Sequence, residues 1–273
     1  YLVLTIPRLE DMDAFGLIRL IKEIDPDLPV FLLAHRTNRH LFDPDYRKNR
    51  PIDKIFVWSG NTDLLLALIK SVEDQMNIDF DTQRARVRVL IMVEDSPIYY
   101  SSILPLLYKE IVLQTQAVME DSLNDEHRIL RMRARPKILL AENFEEAEDL
   151  YHRFKPYLLS IFSDVRFPRN GNVDEAAGLS LLKMVRAETP DIPLLMLSSE
   201  EKNRQKADTI PAVFLNKNAP ALHTEIREFF KQYLGFGDFI FRLPDGPEVR
   251  LVVPEIVPLR VIVGRERHAH GAG

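Results

Sequence analysis

The sequence contains no cysteine, which excludes disulfide bridges and thiolate metal sites and fits a reducing, cytoplasmic setting. It contains no apolar run near the ~20 residues that a membrane-crossing helix needs, and no signal-peptide pattern. No membrane partner is expected. It has no excess of positive charge. Lys and Arg number 36 against 41 Asp and Glu, a formal net charge of −5, which argues against direct binding of nucleic acid. There is no initial Met: Tyr1 runs straight into a strand-like segment, and the expectation is a fragment of a longer protein. Apolar residues are plentiful at 46% of 273 positions, enough for one large or two ordinary domains.

Apolar runs of four to seven residues recur at 2–6, 29–34, 54–58, 87–93, 137–141, 157–163, 193–198 and 212–215. They read as strands buried on both faces. Segments with helical spacing separate them. In 175–188, Gly178, Leu181, Leu182 and Val185 fall at i, i+3, i+4 and i+7, one face of a helix. Alternation of this kind predicts an α/β fold built on parallel sheets.

The pattern repeats within the chain. "DPDLPVFLLAH" (25–35) resembles "TPDIPLLMLSS" (189–199), and "KIFVW" (54–58) pairs with "AVFLN" (212–216). Two copies of one unit are therefore expected. The first, 1–78, begins at its third strand. The second, 87–234, has all five strands. The polar stretch "NIDFDTQRAR" (77–86) suggests a short linker at 79–86. An inserted or extended helix is expected over 106–136, with Val112, Met119, Leu123 and Leu130 on one stripe. Its arginines at 128, 131, 133 and 135 would form a solvated helix end. The stripe also offers a surface for a partner or a homodimer. Residues 235–273 read as the start of a further region, with a strand-like core, a Pro-Asp-Gly turn and a disordered tail. His268 and His270 in that tail have metal-ligand spacing but no neighbouring ligands in sequence.

In an open parallel sheet, ligands bind at the carboxyl ends of the strands. In the second copy those ends carry Glu94 and Asp95 after "VRVLIMV", Asp164 after "LLSIFS", Ser198 closing "PLLMLS" and Lys217 after "VFLN". Three carboxylates gathered at one rim repel one another unless a cation joins them. A small hard cation with oxygen ligands, Mg²⁺, suits such a set together with a phosphate. A carboxylate can also act as a nucleophile toward phosphorus.

The constellation "VEDS", "FSDVRFP", "PLLMLSS" and "FLNKN" resembles the receiver domain of two-component response regulators over about 85–234. The resemblance implies two flavodoxin-like, doubly wound parallel-sheet domains, the first incomplete. It implies Asp164 as phosphoacceptor, with Mg²⁺ held by Asp95, Asp164, the backbone carbonyl of Arg166 and, mostly through water, Glu94. Ser198 would be the switch hydroxyl, Lys217 the lysine pairing with the phosphoryl group and Phe214 the switch aromatic, turning inward on phosphorylation. The implied partners are a histidine kinase or phosphotransfer protein, and an output domain or partner protein that reads the result. The sequence departs from the pattern after Lys217, where Asn218 replaces the usual proline. "GFGDFIFRLPDG" (235–246) resembles the junction in bacterial proteins that join receivers to a phosphoenolpyruvate synthase or pyruvate phosphate dikinase-like part.

The first copy lacks the chemical groups. Local alignment sets Ile6 opposite Asp164, Ala34 opposite Ser198, Ser59 opposite Lys217 and Phe56 opposite Phe214. It reads as a degenerate receiver that cannot be phosphorylated. Two rivals stand beside this reading. One is a pseudo-receiver interaction scaffold in which the acids are relics. The other is a Mg²⁺-dependent phosphatase-like enzyme of the haloacid dehalogenase type, whose Asp-x-Asp after strand one does not match "VEDSP".

Overall fold

Each apolar run becomes a strand because both of its faces are covered. A computed structural model describes residues 1–10, 12–43, 50–120, 135–234, 238–242 and 248–252. Its strands are β1 (Val3–Thr5), β2 (Val30–His35), β3 (Lys54–Trp58), β4 (Val89–Val93), β5 (Lys137–Ala141), β6 (Leu158–Asp164), β7 (Phe167–Arg169), β8 (Asn172–Asp174), β9 (Leu194–Ser198), β10 (Val213–Asn216), β11 (Asp238–Arg242) and β12 (Glu248–Val252). Its α-helices are α1 (Ala14–Ile24), α2 (Asp63–Ala85), α3 (Pro97–Glu120), α4 (Phe144–Phe154), α5 (Ala177–Glu188), α6 (Arg204–Asp208) and α7 (Leu222–Phe229).

The second copy forms a five-stranded parallel sheet in the order β10-β9-β6-β4-β5. Counted within the copy, that is 2-1-3-4-5, the flavodoxin-like doubly wound order. Every residue of β4 and of β9 is buried, which is why those segments read as unbroken apolar runs. One face packs on α3 and α7 through Leu90, Met92, Phe162 and Leu195. The other packs on α4, α5 and α6 through Val89, Ile91, Ile161 and Met196.

The first copy is a three-stranded parallel sheet, β1-β2-β3, and it shares a core with the second. Phe31 and Phe56 from its strands cluster with Tyr100, Ile103 and Leu104 of α3. The Phe56 ring meets Tyr100 edge-on, centroids 5.2 Å apart. Backbone groups of β3 are tied by the same helix. The Tyr100 hydroxyl donates to the Ile55 carbonyl, and Val57 N–H donates to Ser101 Oγ at 2.9 Å. An edge strand with paired backbone groups is no longer a template for stray pairing.

Two expectations are corrected here. No linker separates the copies at 79–86, because α2 runs without a break through Ala85 and ends at Arg86 in the left-handed conformation (φ 53°). Ile78 and Thr82, four residues apart, are buried on its inner face, so the polar look of 77–86 describes only the outer face. Residues 106–120 continue the first helix of the second copy, the extended form of the helix expected over 106–136, and 121–134 lie outside the described residues. Arg135 is no solvated helix end. It is buried and makes a two-pronged contact with the fully buried Asp74 of α2, Nη2–Oδ1 2.5 Å and Nη1–Oδ2 3.1 Å. Asp74 also accepts from Tyr108 Oη (3.0 Å) and Ile138 N–H (2.9 Å), so its charge is matched and its lone pairs are used. Leu123, Leu130, Arg128, Arg131, Arg133, His268 and His270 lie outside the described residues.

The register also corrects the alignment of the last strand of the first copy. Ser198 pairs with Asn216, one residue before Lys217. Ala34 pairs with Val57, one residue before Trp58. Trp58, not Ser59, is therefore the counterpart of Lys217, and Ile55, not Phe56, that of Phe214. The faces agree. Ile55 lies with Ala14 of α1, as Phe214 lies with Leu181 of α5. A slip of one residue sends every side chain of a strand to the opposite face.

β11 and β12 pair antiparallel, with Ile240 opposite Arg250. They make a separate unit that begins at Gly237.

Candidate functional site

The carboxyl ends of β4, β6, β9 and β10 bring the expected side chains onto one rim. β4 ends at Val93, and the buried Glu94 follows, its N–H donating to the Ala141 carbonyl of β5 at 3.0 Å. Single carboxylate oxygens of Glu94, Asp95 and Asp164 all lie within 4.8 Å of one another. Lys217, whose side chain is 2% exposed, reaches between them: its Nζ is 2.5 Å from Glu94 Oε2 and 2.9 Å from Asp164 Oδ2. The Tyr99 ring, from the first turn of α3, stands 4.4 Å from the same ammonium. The contact with Glu94 Oε2 is an ion pair without hydrogen-bond geometry, and that buried oxygen has no donor among the described residues. Glu94 Oε1 accepts from Ser96 N–H (3.2 Å), and Asp164 Oδ1 from Val165 N–H (2.7 Å).

The electrostatics follow from this crowding. Burial, with Asp164 and Asp95 adding to it, pushes the Glu94 carboxyl up to about 8 against the opposing pull of Lys217. Burial by itself would depress the Lys217 ammonium, but Glu94 and Asp164 outweigh it and hold the group above the ordinary lysine value. Three carboxylates gather here, and the Lys217 ammonium contacts two of them, Glu94 and Asp164. Hard oxygen donors at this spacing fit a small divalent cation. Glu94, Asp95 and Asp164 are the residues that would hold it.

Ser198 closes β9 and is buried. Its Oγ accepts from Glu200 N–H at 3.1 Å and from Asn203 Nδ2 at 2.9 Å. Phe214 is buried beneath the Arg204 guanidinium, 4.6 Å from its ring centroid. The Arg166 side chain pairs with Glu175 at 3.2 Å and is exposed.

Sequence reasoning missed two features of the site. One is the β7–β8 hairpin that opens three residues after Asp164, built on Asn170 (φ 51°) and Gly171 (φ 76°). Asn-Gly between short runs is the usual two-residue hairpin signal, and it stands in "FPRNGNVD". The other is Gly178. A Cβ there would lie 1.8 Å from the Asp164 carbonyl oxygen, so α5 starts in direct contact with the backbone of the candidate phosphoacceptor. Helical spacing in the sequence marked Gly178 only as part of a buried face.

No protein-family model matches the chain, and no curated protein matches it. Solved structures to which it is similar include response-regulator receiver domains, covering about half of it. One is a receiver domain protein from Clostridium thermocellum (14% identity, TM-score 0.36, 52% of this chain and 90% of that one). Another is the chemotaxis protein CheY4 of Vibrio cholerae (18%, TM-score 0.33, 54% and 99%). A third is the NtrX receiver domain of Brucella abortus (16%, TM-score 0.33, 54% and 98%). No helix among the described residues is long and apolar enough to cross a membrane.

Proposed function

We propose that residues 87–234 act as a phosphoacceptor receiver and that residues 1–78 are a degenerate companion without phosphoacceptor chemistry. The observation that carries this reading is the meeting of Glu94, Asp95 and Asp164 within 4.8 Å, with Lys217 between them, on the carboxyl rim of a 2-1-3-4-5 sheet. Asp164 Oδ2 attacks the phosphorus of a phosphohistidine on a partner kinase or phosphotransfer protein. The new P–O bond forms as the P–N bond breaks, and the imidazole leaves with a proton from water. Lys217 moves from Asp164 Oδ2 to a phosphoryl oxygen and neutralises part of the new charge. Ser198 donates to another phosphoryl oxygen. Asp95, Asp164, the Arg166 backbone carbonyl and, mostly through water, Glu94 would hold a Mg²⁺ ion, which would supply electrostatic stabilisation of the transferring group.

A pseudo-receiver scaffold is the second reading. It is favoured by Asn218 after Lys217 and by the Lys217 ion pairs, which supply a built-in cation in place of a metal. A time course with a small acyl phosphate separates the two readings. The receiver becomes labelled once per chain only when Mg²⁺ is present, and Asp164→Asn abolishes the label. A folded chain that neither labels nor binds Mg²⁺ leaves the scaffold.

A further inference from the structure

Asn203 is buried at the start of α6 and has one satisfied and one unsatisfied amide atom. Its Nδ2 donates to Ser198 Oγ at 2.9 Å, and its Oδ1 is buried without a hydrogen-bond partner among the described residues. The other hydrogen bond at Ser198 Oγ is also an accepted one, from Glu200 N–H at 3.1 Å. A hydroxyl has two lone pairs and one proton. With both lone pairs filled, the Ser198 rotor has one direction left for its O–H, and that proton is free to be donated. Ser198 adjoins Leu197, which pairs across the sheet with Asp164. An Asn203 amide turned the other way would place Oδ1 against Ser198 and take that proton.

We propose that Asn203 is a positioning residue for the proposed phosphoryl transfer. It fills the second lone pair of Ser198, so that the hydroxyl arrives pre-oriented as a donor to the phosphoryl group on Asp164. The orphaned Oδ1 is the cost of that orientation, because the alternative rotamer would satisfy the amide oxygen and silence the hydroxyl. Pre-orientation of a donor toward developing charge is the usual way a site lowers a barrier without moving at the moment of reaction. The inference rests on the receiver reading above, but it fails separately from it.

The test is a double-mutant cycle on the full 273-residue chain, labelled with acetyl phosphate and Mg²⁺. Asn203→Leu removes the amide at similar volume, and Asn203→Asp replaces it with an acceptor that takes the Ser198 proton. Losing one oriented hydrogen bond corresponds to a labelling rate lower by about 3- to 10-fold in Asn203→Leu. The Asp variant should fall as far as Ser198→Ala. In the Ser198→Ala background, Asn203→Leu should change the rate by less than about 2-fold, because its effect runs through the hydroxyl. A merely structural asparagine would give effects that multiply, and that result overturns the proposal while leaving the receiver reading standing. A faster rate in Asn203→Leu also overturns it, since it would mean the amide was holding the proton. If the wild-type chain is not labelled at all, the receiver reading fails and takes this role with it. The Asn203 side-chain amide resonance reports the contact without any chemistry. It should move in Ser198→Ala, and an unmoved resonance refutes the contact even if a variant folds poorly.

Discussion

Gly178→Ala is the substitution whose effect the structure predicts most sharply. In an ordinary helix, alanine is favoured over glycine by about 1 kcal/mol, so propensity alone predicts a more stable protein. The position is not ordinary. The added Cβ would lie 1.8 Å from the Asp164 carbonyl oxygen, 2.9 Å from its carbonyl carbon and 3.0 Å from Ser163 Oγ. Side-chain carbons essentially never approach closer than 3.0 Å, so backbone must separate by at least 1.2 Å (3.0 − 1.8). The oxygen belongs to the last residue of a central strand and the glycine to a helix packed on that sheet, and neither is a flexible tip. Overpacking of this kind costs about 1–3 kcal/mol, enough to override the propensity gain. The movement falls on Asp164 itself. Misplacing a reacting group by ~1 Å can lower a rate on the order of 100-fold. Urea denaturation should therefore show a lower midpoint, and acyl phosphate labelling should fall far more than stability does. An alanine variant of equal or greater stability, labelled at the wild-type rate, would refute the close approach of α5 to Asp164.

Asp74→Ala would strand Arg135 in a buried site, and a loss of about 3–5 kcal/mol is expected, read by chemical denaturation; a loss under about 1 kcal/mol would mean that the pair does not bind α2 to the second copy. Ser101→Ala removes the acceptor for Val57 N–H and should cost about 1–3 kcal/mol. It should also shift the emission of Trp58, the only tryptophan and the neighbour of Val57; unchanged emission would contradict the tie between α3 and β3. Glu94 gives a pH prediction. Its carboxyl is raised from 4.5 to about 8 by folding, so its contribution to stability is complete below pH ~4.5 and is lost as pH rises through about 8. Mg²⁺ should offset that loss by taking the place of the proton. The thermal shift on adding Mg²⁺ should therefore grow between pH 6 and 8.5 and should flatten in Glu94→Gln. A shift independent of pH would remove Glu94 from the metal set.

Much of this architecture was legible because parallel strands buried on both faces appear as short, unbroken apolar runs. The rim was legible for a related reason: charged residues that directly follow such runs can only stand at strand ends. The same property hid the register of β3. "KIFVW" has no polar–apolar alternation to fix which residues face which helix, so a local alignment could slide by one and set Ser59 where Trp58 stands. Helix α2 was misread as ending in a linker because its inner face past Asp74 carries only Ile78 and Thr82 among polar neighbours. Arg135 was misread because its partner, Asp74, lies 61 positions away, and no local pattern connects them. Gly178 and Asn203 act through contacts that cross between elements, and their residue types alone say nothing of those contacts.

The most direct test of the central claim is the intact mass of the chain after incubation with Mg²⁺ and acetyl phosphate, with Asp164→Asn measured in parallel. The account predicts one added phosphoryl group per chain, on Asp164 and on no residue of the first copy, and none in the variant or after chelation. A label that persists in Asp164→Asn, or a folded wild-type chain that takes up neither Mg²⁺ nor a phosphoryl group, would contradict it.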